Sequence, residues 1–188
     1  VNEILKIYRE AEELVEKYDL DKTVLYEYAA FLFHQNRFEE ADTLAGKLSW
    51  YYSNPTLKVK EEEKAELYNL LGVVYSKTQR YAEAEAAYDK MLEIYSRLAE
   101  RNPEAYEQSL ASSCGNLGCL YSYTQRYDKA EDAFDKAKEI LIRLAERSPE
   151  DESTLAWIYT NLGSLYRETQ RYDEAETAFV KSLEIRTT

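Results

Sequence analysis

Turn residues are scarce in this chain, with five glycines and three prolines among 188 residues. A loop-rich all-β fold depends on such residues and is excluded. Two cysteines, Cys114 and Cys119, are too few for a disulfide scaffold. Five residues apart on a helix, they point about 140° from one another, which is poor for bridging. A single histidine, His34, excludes metal clusters built on several histidines. No apolar run approaches the ~20 residues of a spanning helix, so no membrane partner is expected. Lysine and arginine number 24 against 36 acids, a net charge of −12, which denies nucleic acid its basic footprint.

Chemistry-bearing motifs are missing too. There is no G-x-x-x-x-G-K-[ST] loop and no G-x-G-x-x-G turn. Neighbouring carboxylates such as Glu61-Glu62-Glu63, Glu83 with Glu85, and Glu131-Asp132 alternate with lysine and arginine, the pattern of a solvated helix face. The residues therefore predict no catalytic site, no metal and no cofactor, and the chain is expected not to be an enzyme. The first residues, with Glu3, Lys6, Arg9 and Glu10 interspersed, hold no signal-peptide core. The expected compartment is cytoplasmic. Val1 in place of an initiator methionine predicts a segment excised from a longer chain.

What is abundant is tyrosine, 18 residues, and with it internal repetition. Residues 116–143 and 161–188 match at 17 of 28 positions. A related copy runs from Asn69 to Pro103, and a degenerate one begins near Tyr26. Arg37, Arg80, Arg126 and Arg171 are spaced 43, 46 and 45 residues apart. Pro55, Pro103 and Pro149 keep the same beat. Such self-similarity signals stacked supersecondary units.

Each unit reads as two helices. Leu67, Leu70, Leu71, Val74 and Tyr75 recur at helical spacing before the corner Thr78-Gln79-Arg80-Tyr81, and Ala84, Ala87, Tyr88, Met91 and Leu92 do so after it. The corner is short and polar, so the two helices are antiparallel neighbours. Pro103 and Pro149 suit the first position of the next first helix, with Asn102 and Ser148 before them as N-caps. Gly72, Gly118 and Gly163 fall at one position of the first helix, with Ala29 in the first copy. Glycine costs ~1 kcal/mol in a helix interior, so its recurrence predicts close packing of the second helix there. The second helices offer Ala41, Ala84, Ala130 and Ala175 for that approach. Tyr88, Phe134 and Phe179 fill the adjoining space.

Leu71-Gly72-x2-Tyr75 followed by Ala84-x3-Tyr88 resembles the tetratricopeptide repeat. So do Leu117-Gly118-x2-Tyr121 with Ala130-x3-Phe134, and Leu162-Gly163-x2-Tyr166 with Ala175-x3-Phe179. The period near 45 exceeds the family's usual 34, and the N-L-G and Q-R-Y-x-E-A-E strings are similar to the long-repeat kinesin-light-chain type found in bacterial multidomain proteins. The resemblance implies an all-α, right-handed α-solenoid of about four long helix-turn-helix repeats plus an N-terminal helix. The expected organisation is one domain over 1–188. It comprises a helix at 1–18, a degenerate repeat at 21–54, repeats at 55–102 and 103–148, and a shortened repeat at 149–188.

In this family the first helices line the inner face of the array. The resemblance therefore implies a groove for a protein or extended peptide. Its candidate residues are Asn116, Asn161, Asn69, Tyr26, Tyr123, Trp157, Arg167 and Lys77. Asn116 and Asn161 share one repeat position, where relatives hold a peptide backbone; the alternative is that these amides bond neighbouring helices and stabilise stacking. Asn69 is offset by one residue. Tyr26, Tyr123 and Trp157 do not recur in register, which marks them for ligand contact. Lys77 and Arg167 face Glu66 and Glu168, too balanced a set for a dedicated carboxylate clamp. Two other roles are compatible with the sequence. One is an assembly module that self-associates through the C-terminal end, where Phe179, Leu183 and Ile185 lack a following repeat. The other is the repeat region of a larger protein whose activity lies in a different domain.

Overall fold

The structure, a computed structural model, describes residues 2–18, 23–52, 59–146 and 152–187. Pro55, Ser148 and Pro149 lie outside the described residues. Among the described residues there are nine helices and no strand. Helix α1 spans Asn2–Tyr18. Eight helices follow: α2 (Thr23–His34) packed on α3 (Phe38–Tyr52), then α4 (Glu61–Lys77) and α5 (Tyr81–Arg101), then α6 (Pro103–Tyr123) packed on α7 (Tyr127–Ala145) and α8 (Glu152–Glu168) packed on α9 (Tyr172–Thr187). The architecture is an all-α helical-repeat solenoid. No helix among the described residues is long and apolar enough to cross a membrane.

Local chemistry explains the helix ends. Pro103 opens α6 at a position whose N–H would have no partner, while Asn102 precedes it. The expected side-chain cap is absent, because Asn102 makes no capping bond with its amide. Three acids, Glu61, Glu62 and Glu63, sit in the first turn of α4, where they complement the helix dipole.

The corners between paired helices follow one design. Asn36, Gln79, Gln125 and Gln170 have φ of 59°, 62°, 59° and 63°, the left-handed region. At the second corner the Gln79 N–H donates to the Ser76 carbonyl and the Arg80 N–H donates to the Tyr75 carbonyl. That pair of bonds is a Schellman motif. The same two bonds recur at Asn36/Arg37, Gln125/Arg126 and Gln170/Arg171. Each arginine then starts the next helix, since its carbonyl accepts from the alanine four residues on, as Arg80 does from Ala84. A polar corner was expected; a left-handed glutamine was not.

The chain divides into two compact units, residues 1–87 and 88–188. In the first, Leu25, Leu32, Leu48, Leu67 and Val74 form the centre of a core from α2, α3 and α4. Helix α1 joins it through Leu5 and through Tyr8, whose ring stacks on Tyr28 at 4.9 Å between centroids. In the second unit Phe134, Leu141, Ile158, Leu162 and Leu165 are almost fully buried between α6, α7, α8 and α9.

The recurring glycines of this unit have a direct reason. A Cβ on Gly118 would lie 2.6 Å from the Phe134 ring, and one on Gly163 would lie 2.8 Å from Phe179. The aromatic ring of the second helix, rather than the alanine at 130 or 175, occupies the space the glycine leaves. Ala130 and Ala175 are themselves buried and let the helices approach.

Candidate protein-interaction surface

The candidate residues all lie on first helices. In the first unit Tyr26 is on α2, and Asn69 and Lys77 are on α4. Tyr26 packs partly against the core, Asn69 is half-buried, and Lys77 is exposed. In the second unit Asn116 and Tyr123 are on α6, and Trp157, Asn161 and Arg167 are on α8. Tyr123 is 73% exposed and Arg167 is also exposed. Asn116, Trp157 and Asn161 are half-buried. The Lys77 and Arg167 side chains have no ion pair or hydrogen bond among the described residues.

Two of these side chains take part in helix stacking. The Asn161 amide nitrogen donates to the Trp157 carbonyl at 2.9 Å, and its oxygen accepts from the Cys119 thiol at 3.7 Å. Burial pushes that thiol up to about 11, so it stays protonated and able to donate. The Trp157 indole lies against Gly115 of α6, where an added Cβ would also meet Ile158 at 2.9 Å. Trp157 and Gly115 thus form a matched pair between α6 and α8, alongside any contact the indole makes with a ligand.

Cys114 and Cys119 are both unbridged. Burial raises the Cys114 thiol as well, which leaves little reactive thiolate at neutral pH. No group of three or more metal-ligating side chains is found among the described residues.

A second constellation escaped the sequence reading. In three corners the arginine lies over the ring of the tyrosine five residues before it: Arg80 over Tyr75 at 4.3 Å, Arg126 over Tyr121 at 4.5 Å, and Arg171 over Tyr166 at 4.3 Å. Arg80 also donates to Asp42 at 2.7 Å and to Glu83 at 3.0 Å. Arg171 grips Glu131 with bonds of 2.6 and 3.0 Å and Glu174 with two of 2.6 Å. Arg80 and Arg171 therefore each tie the second helix of one pair to the first and second helices of the next, whereas Arg126 donates to the Thr124 hydroxyl of its own corner at 3.0 Å. The bonds from Arg171 hold Glu131 and Glu174 below the usual carboxylate range. Burial, then Glu131 and Asp135, push the Tyr166 hydroxyl up to about 12. The recurrence of Tyr-x4-Arg at 75/80, 121/126 and 166/171 was the available signal.

Two hollows lie in the second unit. One, of about 200 Å³, is floored by Leu162 and Ala178 with Tyr159 and Tyr166 and rimmed by Lys138 and Lys181. The other, of about 450 Å³, lies between Arg101, Pro103, Glu107 and Arg143, where Arg143 donates to Glu107 at 3.0 Å. Neither encloses a nucleophile with a base.

The tetratricopeptide repeat family model matches residues 63–143 and 141–188, about two thirds of the chain. The chain belongs to the tetratricopeptide repeat family. Solved structures with the same fold include BtubC (BKLC) from P. vanneervenii, at 22% identity and a TM-score of 0.71, covering 96% of this chain and 69% of that one. The apo form of RapI aligns at 20% identity with a TM-score of 0.72, over 88% of this chain and 56% of RapI. MamA aligns at 18% identity with a TM-score of 0.66, over 97% and 86% of the two chains. At these identities the likeness concerns the fold. A search of the curated proteins finds no match. In this tetratricopeptide chain the contacts of Gly115, Gly118 and Gly163 are accounted for by helix packing within the second unit. Tyr123 and Arg167 stand exposed on its first helices.

Proposed function

We propose that this tetratricopeptide chain is a non-enzymatic scaffold that holds a protein or an extended peptide on the face lined by its first helices. The observation that carries the reading is the state of Tyr123 and Arg167. Both stand exposed at the C-terminal ends of α6 and α8, and the Arg167 guanidinium has no partner among the described residues. An exposed aromatic and an uncommitted arginine are the side chains that most often dominate binding. The half-buried Asn116 and Asn161 lie further back on the same helices. A side-chain amide can meet peptide N–H and C=O groups, which is how an extended ligand is held without regard to its side chains. Repeat arrays use such surfaces for binding. In the other unit Lys77 and Tyr26 occupy corresponding first helices.

The test is affinity capture with this chain as bait, followed by titration of the captured partner. Arg167→Ala and Tyr123→Ala are expected to weaken binding by about tenfold each, with thermal unfolding unchanged. Unaltered affinity in the double variant would refute the groove assignment. Asn161→Ala is a poorer test, because it also removes the bonds to Trp157 and Cys119.

A further inference from the structure

The hollow of about 200 Å³ in the second unit lies on the side of α8 turned away from the candidate binding residues. At 100° per residue, Tyr159, Leu162 and Tyr166 fall on one side of α8, and Trp157 and Asn161 fall on the opposite one. Helix α7 contributes Lys138 to the hollow, and α9 contributes Ala178 and Lys181. The hollow therefore sits on α8 between α7 and α9, within the array.

The repeat register shows what is different at this place. One repeat earlier, the positions of Lys138 and Tyr159 are held by Leu92 and Cys114. There Leu92 packs against the core that contains Cys114, and Cys114 is 2% exposed. Here Lys138 lines the hollow in place of that leucine. Its ammonium donates to Asp135 of its own helix at 2.5 Å. The floor beside it, Leu162 and Ala178, is apolar.

The polar groups around the floor are not equally committed. Arg171 takes Glu174 through two bonds of 2.6 Å, and Asp135 takes Lys138. Lys181 has no carboxylate partner among the described residues, and its ammonium lies 5.5 Å from the centre of the Tyr159 ring. The Tyr166 hydroxyl bonds Glu131, whereas the Tyr159 hydroxyl has no hydrogen bond among the described residues. An ammonium and a phenol thus stand free beside an apolar floor. That combination suits an apolar group with a carboxylate next to it. Size decides the form of the ligand. Small-molecule pockets run from about 300 to 1,000 Å³, and this hollow falls below that range. It matches one side chain, seated as an interface anchor is seated in its partner.

We propose that this hollow is a second docking site, for an acidic peptide segment of a partner protein. The segment seats one aromatic or leucine side chain over Leu162 and Ala178. An adjacent aspartate or glutamate reaches Lys181 and the Tyr159 hydroxyl. The site uses the opposite side of α8 from the face assigned to ligand binding and needs none of Tyr123, Asn161 or Arg167. One anchor and one ion pair make it weak, with dissociation of an isolated peptide on the order of 0.1–1 mM.

The probe is a capped pentapeptide with phenylalanine at its centre, aspartate on either side and serine at each end. Titrated to about 3 mM, past the expected dissociation constant, it is expected to shift the NMR signals of Tyr159, Ala178 and Lys181 in the labelled chain. Alanine in place of the phenylalanine is expected to abolish those shifts. Asparagines in place of the aspartates are expected to weaken binding by about threefold. Lys181 is exposed, and Lys181→Glu is expected to weaken binding by about tenfold. Lys138→Leu restores the leucine of the preceding repeat. It is expected to fold as wild type does, fill the hollow and abolish the shifts. Tyr123→Ala and Arg167→Ala are expected to leave the shifts at Tyr159 and Lys181 unchanged, so failure here is distinguishable from failure of the groove reading. No shift at Tyr159 and Lys181 at the highest concentration overturns the proposal, as does a folded Lys138→Leu variant that binds as wild type does. Equal binding of the asparagine peptide overturns the acidic class of the partner. Phenylacetate bound as tightly as the peptide overturns the peptide as occupant.

Discussion

Arg171 lies 4.3 Å above the ring of Tyr166 and, from that position, reaches back across the helix interface to Glu131. The tyrosine hydroxyl also bonds Glu131, so ring, guanidinium and carboxylate close a triangle. In the first unit Arg80 likewise lies over the Tyr75 ring and donates to Asp42. The first corner lacks the ring, because Leu32 replaces the tyrosine, and among the described residues Arg37 pairs with Glu40 at 2.6 and 2.7 Å. The repeat is thus fastened at its corners by a polar joint as well as by its core.

The joint has a measurable cost of removal. Arg171→Ala is expected to destabilise the chain by roughly 1–2 kcal/mol, combining a stacked cation with partly exposed ion pairs. Arg171→Lys keeps the charge, gives up the two-pronged grip on Glu131, and falls between. Urea unfolding of both variants checks this order. A coupling energy near zero in a double-mutant cycle with Glu131→Gln would disprove the joint.

Its pH dependence has a definite sign. The Arg171 bonds depress the Glu131 carboxyl in the folded state, so its contribution to stability is present above the unfolded value of about 4.5. That contribution is lost as pH falls through the folded value. Tyr166 behaves in the opposite sense. Burial raises its hydroxyl from 10.0 to about 12, so the folded state retains a proton that the unfolded chain has lost. Stability is expected to fall as pH rises from about 10 to about 12. Glu131→Gln should flatten the acid limb of a stability–pH curve, and Tyr166→Phe should flatten the alkaline one.

Glycine substitutions separate packing from helix propensity. Gly118→Ala gains ~1 kcal/mol of propensity. It also drives a Cβ to 2.6 Å from the buried Phe134 ring. Overpacking by a methyl costs about 1–3 kcal/mol and is expected to win. Pairing Gly118→Ala with Phe134→Leu should recover part of the loss. Gly46 on α3 has nothing within 4 Å of its added Cβ. Gly46→Ala is therefore expected to raise stability by up to ~1 kcal/mol. Thermal unfolding of the three variants decides whether the recurring glycines are there for space.

Much of this was legible because repetition turns one observation into three. Gly72, Gly118 and Gly163 could be assigned to close packing from their register alone, and the Phe134 and Phe179 contacts supply the reason for two of them. Departures from register were harder to read. Trp157 looked like a ligand aromatic because it has no counterpart in the other copies. Gly115, at a position filled by Thr160 in the next copy, has none either, and the two irregularities pack on each other. Pairing across helices cannot be seen from spacing within one helix. The Asn161 bonds to Trp157 and Cys119 were hidden for the same reason, since an amide's partners depend on the neighbouring helix and not on the repeat string.

The corner glutamines give the sharpest expectation. Gln79, Gln125 and Gln170 hold φ near +60°, where a side chain is strained and glycine is not. The sequence at these points, Thr-Gln-Arg, lacks the glycine that usually marks such a cap, which is why the conformation went unread. The Schellman bonds on either side hold the backbone there. Gln125→Gly is expected to stabilise the chain by about 0.5–1 kcal/mol, because relief of strain exceeds the added freedom of the unfolded chain. Gln125→Val, branched at Cβ, is expected to destabilise it by more than 1 kcal/mol. Equilibrium unfolding of both variants checks the pair. A glycine variant less stable than wild type would mean that the glutamine side chain, and not the turn, holds the corner.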